Sequence, residues 1–292
     1  SQSPLSAPWP SSKAHVNMES IQALREMLQK EKVAPEGWRR PLGYYALQRF
    51  PSIYITRFLL STPLTPNQIT VIGFFVGLIG CVFVLQWAWH LKLIGIGLLY
   101  LNVLFDKVDG ELARHKKIYS LKGIYLDYVN HFLIPPLFLL ALTFGLLPFS
   151  LIHPTVLLLA GIAAACAMIL LRIQQNLAEI LYIKKYLPNC DRLTLSETLH
   201  DSAMSTIKQQ HPFAATLLWL FHHIQEHFLH LWIFVFLLII ERYLLADFIF
   251  HPLMSWLLLV LGIALPLMVV ENIIKGWVRI ESRIAEIKKR TE

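Results

Sequence analysis

The chain has 292 residues, of which 55% are hydrophobic and 15% charged, against about 45–50% and about 25% in soluble globular proteins. Its formal charge is +7, from 26 Lys and Arg against 19 Asp and Glu. The balance excludes an ordinary soluble enzyme and points to a membrane-embedded chain with basic flanks, for which nucleic acid is not expected as a partner.

Residues 1–34 form a polar N-terminal tail, opening with the Ser/Pro-rich stretch SQSPLSAPWPSSK. They hold no apolar core of the kind a cleavable signal needs, so none is expected. Within the tail, Ser20 to Lys32 predicts a short surface helix of mixed charge. Residues 35–60 mix Trp38, Arg39, Arg40, Tyr44, Tyr45, Arg49, Phe50, Tyr54 and Arg57 with apolar positions. That mixture predicts an amphipathic helix in the lipid headgroup layer, with Arg57, or Arg39 and Arg40, placed to hold an anionic acceptor or a lipid phosphate.

From residue 61 to 292 the chain reads as a six-span helical domain. Apolar runs able to cross about 30 Å of hydrocarbon fall at 69–89, 91–106, 124–147, 153–171, 230–248 and 253–271. The second reaches spanning length only if its helix continues through Asp106. Thr65 and Pro66 predict the N-cap and first turn of the first span. Gly73, Gly77 and Gly80 line one side of it, which permits a close helix contact either inside the chain or at a dimer seam.

The basic residues set an expected orientation. The N-terminal segment, 107–123, 172–229 and the C-terminus carry 24 of the 26 Lys and Arg, whereas the other side has only Lys92 and Arg242. Both termini and residues 107–123 are therefore expected in the cytoplasm. Cys81 and Cys166 lie in spans and Cys190 in a polar loop, so no disulfide framework is expected.

Residues 106–131, DKVDGELARHKKIYSLKGIYLDYVNH, hold the chemistry. Carboxylates near a hydrocarbon phase are costly and usually functional. Asp106 and Asp109 stand three apart on one helix face, and Asp127 and His131 stand four apart on the next. Two helix ends meeting there would gather three carboxylates and an imidazole, a donor set suited to Mg²⁺ or Mn²⁺ carrying a substrate phosphate. Gly110 admits a close ligand, Ala113 keeps that face small, and Arg114 offers a fork for phosphate oxygens.

Asp109-Gly110, Ala113-Arg114, Gly123 and Asp127 reproduce the signature D-G-x2-A-R-x8-G-x3-D-x3-D at every position but the last, and here the sequence resembles the CDP-alcohol phosphotransferases. The likeness spans roughly Pro51 to His131 and includes TPLTPNQIT, Thr62 to Thr70, which resembles the segment opening that family's first span. The resemblance implies an all-α, six-span integral membrane fold with a juxtamembrane helix at 35–60 and a homodimeric assembly. It implies two divalent metals at the four acidic positions, a cytidine diphosphate held by the Gly110, Ala113, Arg114 and Gly123 region, and a supporting role for Asn67. The reaction so implied moves a substituted phosphate from a CDP-linked donor, CDP-diacylglycerol or a small CDP-alcohol, to a lipid or polar alcohol in phospholipid biosynthesis, releasing CMP.

His131 stands where the family's last aspartate, its proposed base, would be. A neutral imidazole can ligate a metal or take a proton, and its ordinary pKa of about 6.5 suits a base. It does not supply the fourth negative charge, so the second metal is expected either to bind more weakly or to be recruited only with the substrate diphosphate, and Asn130 could add a neutral oxygen ligand. The competing reading is a catalytically inactive protein that keeps a CDP-lipid or metal site.

Three further patterns complete the reading. Arg172, Gln175, Asn176 and Glu179 share one helical face and are candidates to line an acceptor site, as are Glu271, Lys275 and Arg279. His223, Glu226 and His227 form an H-x-x-E-H pattern that also occurs in zinc proteases, but no further ligand follows it, so headgroup-level histidines are the expected reading. The loop 187–213 has no phosphate-binding glycine pattern, so no separate catalytic domain is expected.

Overall fold

The computed structural model describes residues 20–29, 44–118, 120–186, 227–244 and 252–291, and the secondary structure within them is helical. In chain order the helices are α1 (Ile21–Leu28), α2 (Phe50–Leu60, entered through a π-helical turn Tyr44–Arg49), α3 (Pro66–Leu85) and α4 (Trp89–Lys116). They are followed by α5 (Leu121–Leu146), α6 (Pro154–Tyr186), α7 (His227–Leu244) and α8 (Pro252–Thr291).

Four of these are long and apolar enough to cross a membrane: Pro66–Leu85, Leu121–Leu146, Pro154–Gln174 and Leu253–Gly276. Helix α4 continues through Asp106 as the sequence requires, but Lys92, Asn102 and the signature charges interrupt its apolar character. The last residues of the 230–248 run lie outside the described residues, as do Arg39, Arg40 and the loop that holds Cys190.

Local chemistry sets the helix ends. Thr65 caps α3: its hydroxyl accepts from the Gln68 backbone amide at 3.4 Å and the Gln68 side-chain oxygen Oε1 accepts from the Thr65 backbone amide at 2.8 Å, a reciprocal box that satisfies two orphan donors. Helix α4 ends on Lys117, whose φ of 53° is left-handed. A side chain there costs about 1 kcal/mol that glycine avoids. Lys117→Gly is therefore expected to raise the thermal midpoint in detergent by a few degrees, a shift of about 1 kcal/mol; an unchanged or lower midpoint counts against the strain.

The glycines of α3 face α4. A Cβ at Gly73 would stand 3.0 Å from Phe105 Cβ, at Gly77 3.1 Å from Asn102, and at Gly80 2.9 Å from the Gly95 carbonyl oxygen. Of the two openings the sequence left, the stripe takes packing inside the chain. Below it a buried core joins Leu99, Phe138, Leu142, Phe234, Leu258 and Leu265, with Phe138 and Phe234 edge to face at 5.2 Å. Helices α6 and α8 pack closely where a Gly262 Cβ would come within 2.6 Å of the Ala160 carbonyl oxygen.

Two polar residues act inside this core. Asn102 donates to the Gly73 carbonyl at 2.8 Å and to Asn130 Oδ1 at 2.9 Å, tying α3, α4 and α5. Asn130 therefore serves the bundle, contrary to its expected place as a metal ligand, because its amide oxygen is taken by a buried donor that would otherwise be unsatisfied. Lys92, read from the sequence as a basic residue of the far side, is fully buried. Its ammonium donates to the carbonyls of Val84 at 3.2 Å and Gly145 at 3.1 Å, and to that of Gln86, which places a cation at the C-terminal ends of α3 and α5.

Candidate active site

The last three turns of α4 and the first three of α5 are joined by the short turn after Lys117, and both helices pack against α3. Asp106 comes from α4; Asp127 and His131 come from one face of α5. One ligand atom from each lies within 4.8 Å of the others. His131 Nε2 is 3.3 Å from Asp106 Oδ1 and 3.4 Å from Asp127 Oδ1. The Asp106 side chain is 9% exposed, that of His131 30% and that of Asp127 43%, so the cluster opens outward at Asp127.

Asp109 takes a different partner. Its Oδ2 accepts from Thr70 Oγ1 at 2.6 Å, on α3, and it remains close enough to feel the charges of Asp106 and Asp127. The three-residue helical spacing that puts Asp106 and Asp109 on one face thus also divides them between α5 and α3. Lys107 pairs with Asp106 Oδ2, so the two oxygens of Asp106 point to different partners: one toward the His131 imidazole, the other to an ammonium.

Just beyond His131 stand Pro135 and Pro136, inside a continuous helix. They remove the amide donors that would bond the carbonyls of His131 and Phe132, so the backbone next to the site keeps acceptor capacity.

On the aqueous side, Ser120 caps α5 by accepting from the Gly123 amide at 3.0 Å and donates to Asn67 Oδ1 at 3.1 Å. A Cβ at Gly123 would lie 2.6 Å from that same Asn67 oxygen. Gly123 therefore lets the first turns of α3 and α5 touch, and Asn67 is half of that contact. Gly110 differs: a Cβ there would meet only the Arg114 guanidinium, at an ordinary 3.4 Å. Packing does not require glycine at this position, which leaves close approach of a ligand as its physical use. Ala113 is half-buried beside it.

Arg114 donates from Nε to the Leu28 carbonyl at 3.0 Å, so the N-terminal arm reaches the signature helix. A second tie is stronger. Glu111 is 0% exposed. Its Oε1 accepts from Gln29 Nε2 at 2.8 Å, Ser52 Oγ at 2.8 Å and Arg49 Nη1 at 3.2 Å, and its Oε2 from Thr56 Oγ1 at 2.6 Å. Helix α2 turns these hydroxyls inward and leaves Phe50, Tyr54 and Phe58 exposed at successive turns, while Arg25 of α1 lies over the Phe50 ring at 4.8 Å.

Two carboxylates and an imidazole fit one divalent cation of the Mg²⁺ or Mn²⁺ kind, with coordination positions left for phosphate oxygens or water. Sequence reasoning missed Thr70, Lys107, Glu111 and Ser120. Glu111 carried a signal, a charge at a variable position of the signature on the helical face of Val108 and Leu112; Ser120 carried another, a hydroxyl one residue before a helix start. Thr70 had none, since its role depends on α3 facing α4.

Glu271 and Lys275, candidates to line an acceptor site, form an ion pair with each other. The side chains of Gln175, Asn176, Glu179 and Arg279, and the residues His223 and Glu226, lie outside what is described. Among the described residues, Cys81 and Cys166 are free.

A family model described as CDP-alcohol phosphatidyltransferase matches residues 63–265, which hold the whole α3–α5 site. No curated protein matches the chain at a significant level.

Proposed function

The chain belongs to the CDP-alcohol phosphatidyltransferase family, and from that premise we propose that it is a membrane enzyme moving a substituted phosphate from a CDP-linked donor to an acceptor alcohol. The observation that carries the reading is the convergence of Asp106, Asp127 and His131 from two helices onto one point that opens outward. In the fuller reading, α4 and α7 complete six spans, residues 35–60 lie in the headgroup layer, and the basic bias puts the site and both termini in the cytoplasm.

Asp106, Asp127 and His131 would hold the cation, with Asp109, fixed by Thr70, flanking them. When bound, Mg²⁺ or Mn²⁺ offsets charge on the donor diphosphate. Gly110 and Ala113 leave room for the nucleotide, and the Arg114 guanidinium meets a donor phosphate. His131, when its imidazole is off the cation, takes the proton of the acceptor hydroxyl as its oxygen bonds to the transferred phosphorus; the bond from that phosphorus to the bridging oxygen breaks, and CMP leaves with the electron pair.

The reaction run backward tests this. Purified protein with Mn²⁺, CMP and a total lipid extract is expected to form a CDP-linked product detectable by mass spectrometry: CDP-diacylglycerol for phosphatidyl transfer, a small CDP-alcohol for head-group transfer. Binding of CMP with no CDP product favours the inactive binding protein instead, the reading that His131 at the last acidic position keeps open. His131→Ala is expected to slow the reaction by about 10²-fold or more while the protein stays folded. If His131→Asp binds metal more tightly at an unchanged rate, the imidazole is a ligand variation and not a special base.

A further inference from the structure

We propose that this site holds a single divalent cation, and that the Lys107 ammonium on Asp106 is a built-in replacement for the second. The inference rests on the transferase reading and adds to it a cation count and a role for a residue outside the signature.

The donors argue it first. Among the described residues, Asp106, Asp127 and His131 are the one group able to surround an ion. A second ion would need Asp109 and the other oxygen of Asp106. Asp109 Oδ2 is already bonded to Thr70 at 2.6 Å, and Asp106 Oδ2 is paired with Lys107. The ammonium thus occupies the oxygen through which Asp106 would bridge two metals.

The charges agree. Four carboxylates balance two divalent cations. Here a histidine replaces one carboxylate and a lysine is added beside another, so with neutral His131 the protein charge is minus two and one divalent cation restores the same balance. The pair is largely shielded, with the Lys107 side chain 21% and that of Asp106 9% exposed, where a fixed positive charge acts more strongly than at an open surface. A lysine ammonium is also a compact point charge that binds phosphate oxygens. The sequence change at His131 and the lysine at 107 then form one substitution of charge, not a loss of function.

The test counts ions. The full-length protein in detergent with CMP is titrated with Mn²⁺, and free Mn²⁺ is followed by its paramagnetic resonance signal. The wild type is expected to take up about one Mn²⁺ per chain, and the Lys107→Met/His131→Asp double variant about two. Two ions on the wild type overturn the proposal and leave the transferase reading intact. A double variant that stays at one ion also overturns it, because Lys107 then displaces nothing. No Mn²⁺ bound to the wild type removes the metal-dependent reading itself. The wild-type count stands alone if the double variant does not fold.

Discussion

Asp127→Asn is expected to lower transfer on the order of 10³-fold while the protein keeps its thermal midpoint. The two halves of this expectation have separate causes. Asp127 is 43% exposed at the open side of the cluster, so neither buried area nor a buried charge pair is lost, and exposed charge interactions contribute little to stability. In the proposed site the same carboxylate would be one of three cation ligands, and an electrostatic group aimed at a transferring phosphate is worth about 3–4 kcal/mol of barrier. Asn keeps the shape and one oxygen but removes the charge. The assay is CMP release with Mn²⁺ or Mg²⁺ beside a melting curve on the same sample. A rate within a few-fold of wild type would show that Asp127 is not a ligand, and a collapse in the midpoint would show that it is structural.

Glu111→Ala is expected to do the reverse and unsettle the fold by about 3–5 kcal/mol, the usual cost of removing one partner from a buried, hydrogen-bonded charge pair. Four donors from three segments lose their common acceptor: Gln29 behind α1, Arg49 before α2, and Ser52 and Thr56 within it. All of them are buried, and water does not readily replace the carboxylate there. The arm they belong to precedes residue 63, where the family match begins, so Glu111 is a point at which the N-terminal segment is fastened to the matched region. Glu111→Gln, which keeps one acceptor oxygen, is expected to cost about 1–3 kcal/mol. Thermal midpoints and limited proteolysis between residues 29 and 60 read both variants. A Glu111→Ala protein that melts and resists cleavage like the wild type would mean that the arm is held by its apolar contacts, Leu24, Leu28 and Ile53, and not by this carboxylate.

The two expectations separate roles that a single stretch of sequence mixes. Asp106, Asp109 and Glu111 lie within six residues of one helix, yet each faces a different neighbour. Asp106 meets α5, Asp109 meets Thr70 on α3, and Glu111 meets the arm. A turn of 100° per residue is enough to send side chains three and five apart to separate partners.

What the sequence determined by itself follows from local rules. Apolar length and the cost of backbone polar groups in hydrocarbon dictate helices, Thr65-Pro66 fixes where one of them begins, and i, i+4 spacing puts Asp127 and His131 on one face. The cluster of Asp106, Asp127 and His131 was therefore legible before any coordinates, as was the continuation of α4 through Asp106. Tertiary structure alone decided the partners. The rotation of α3 about its axis turned its glycines to α4 and gave Asp109 to Thr70; the depth of α5 drew Asn130 inward to Asn102; burial made Lys92 a helix cap and Glu111 a clamp. Such choices depend on small rotations and shifts between helices, set by the summed packing of many side chains, and no spacing within one segment records them.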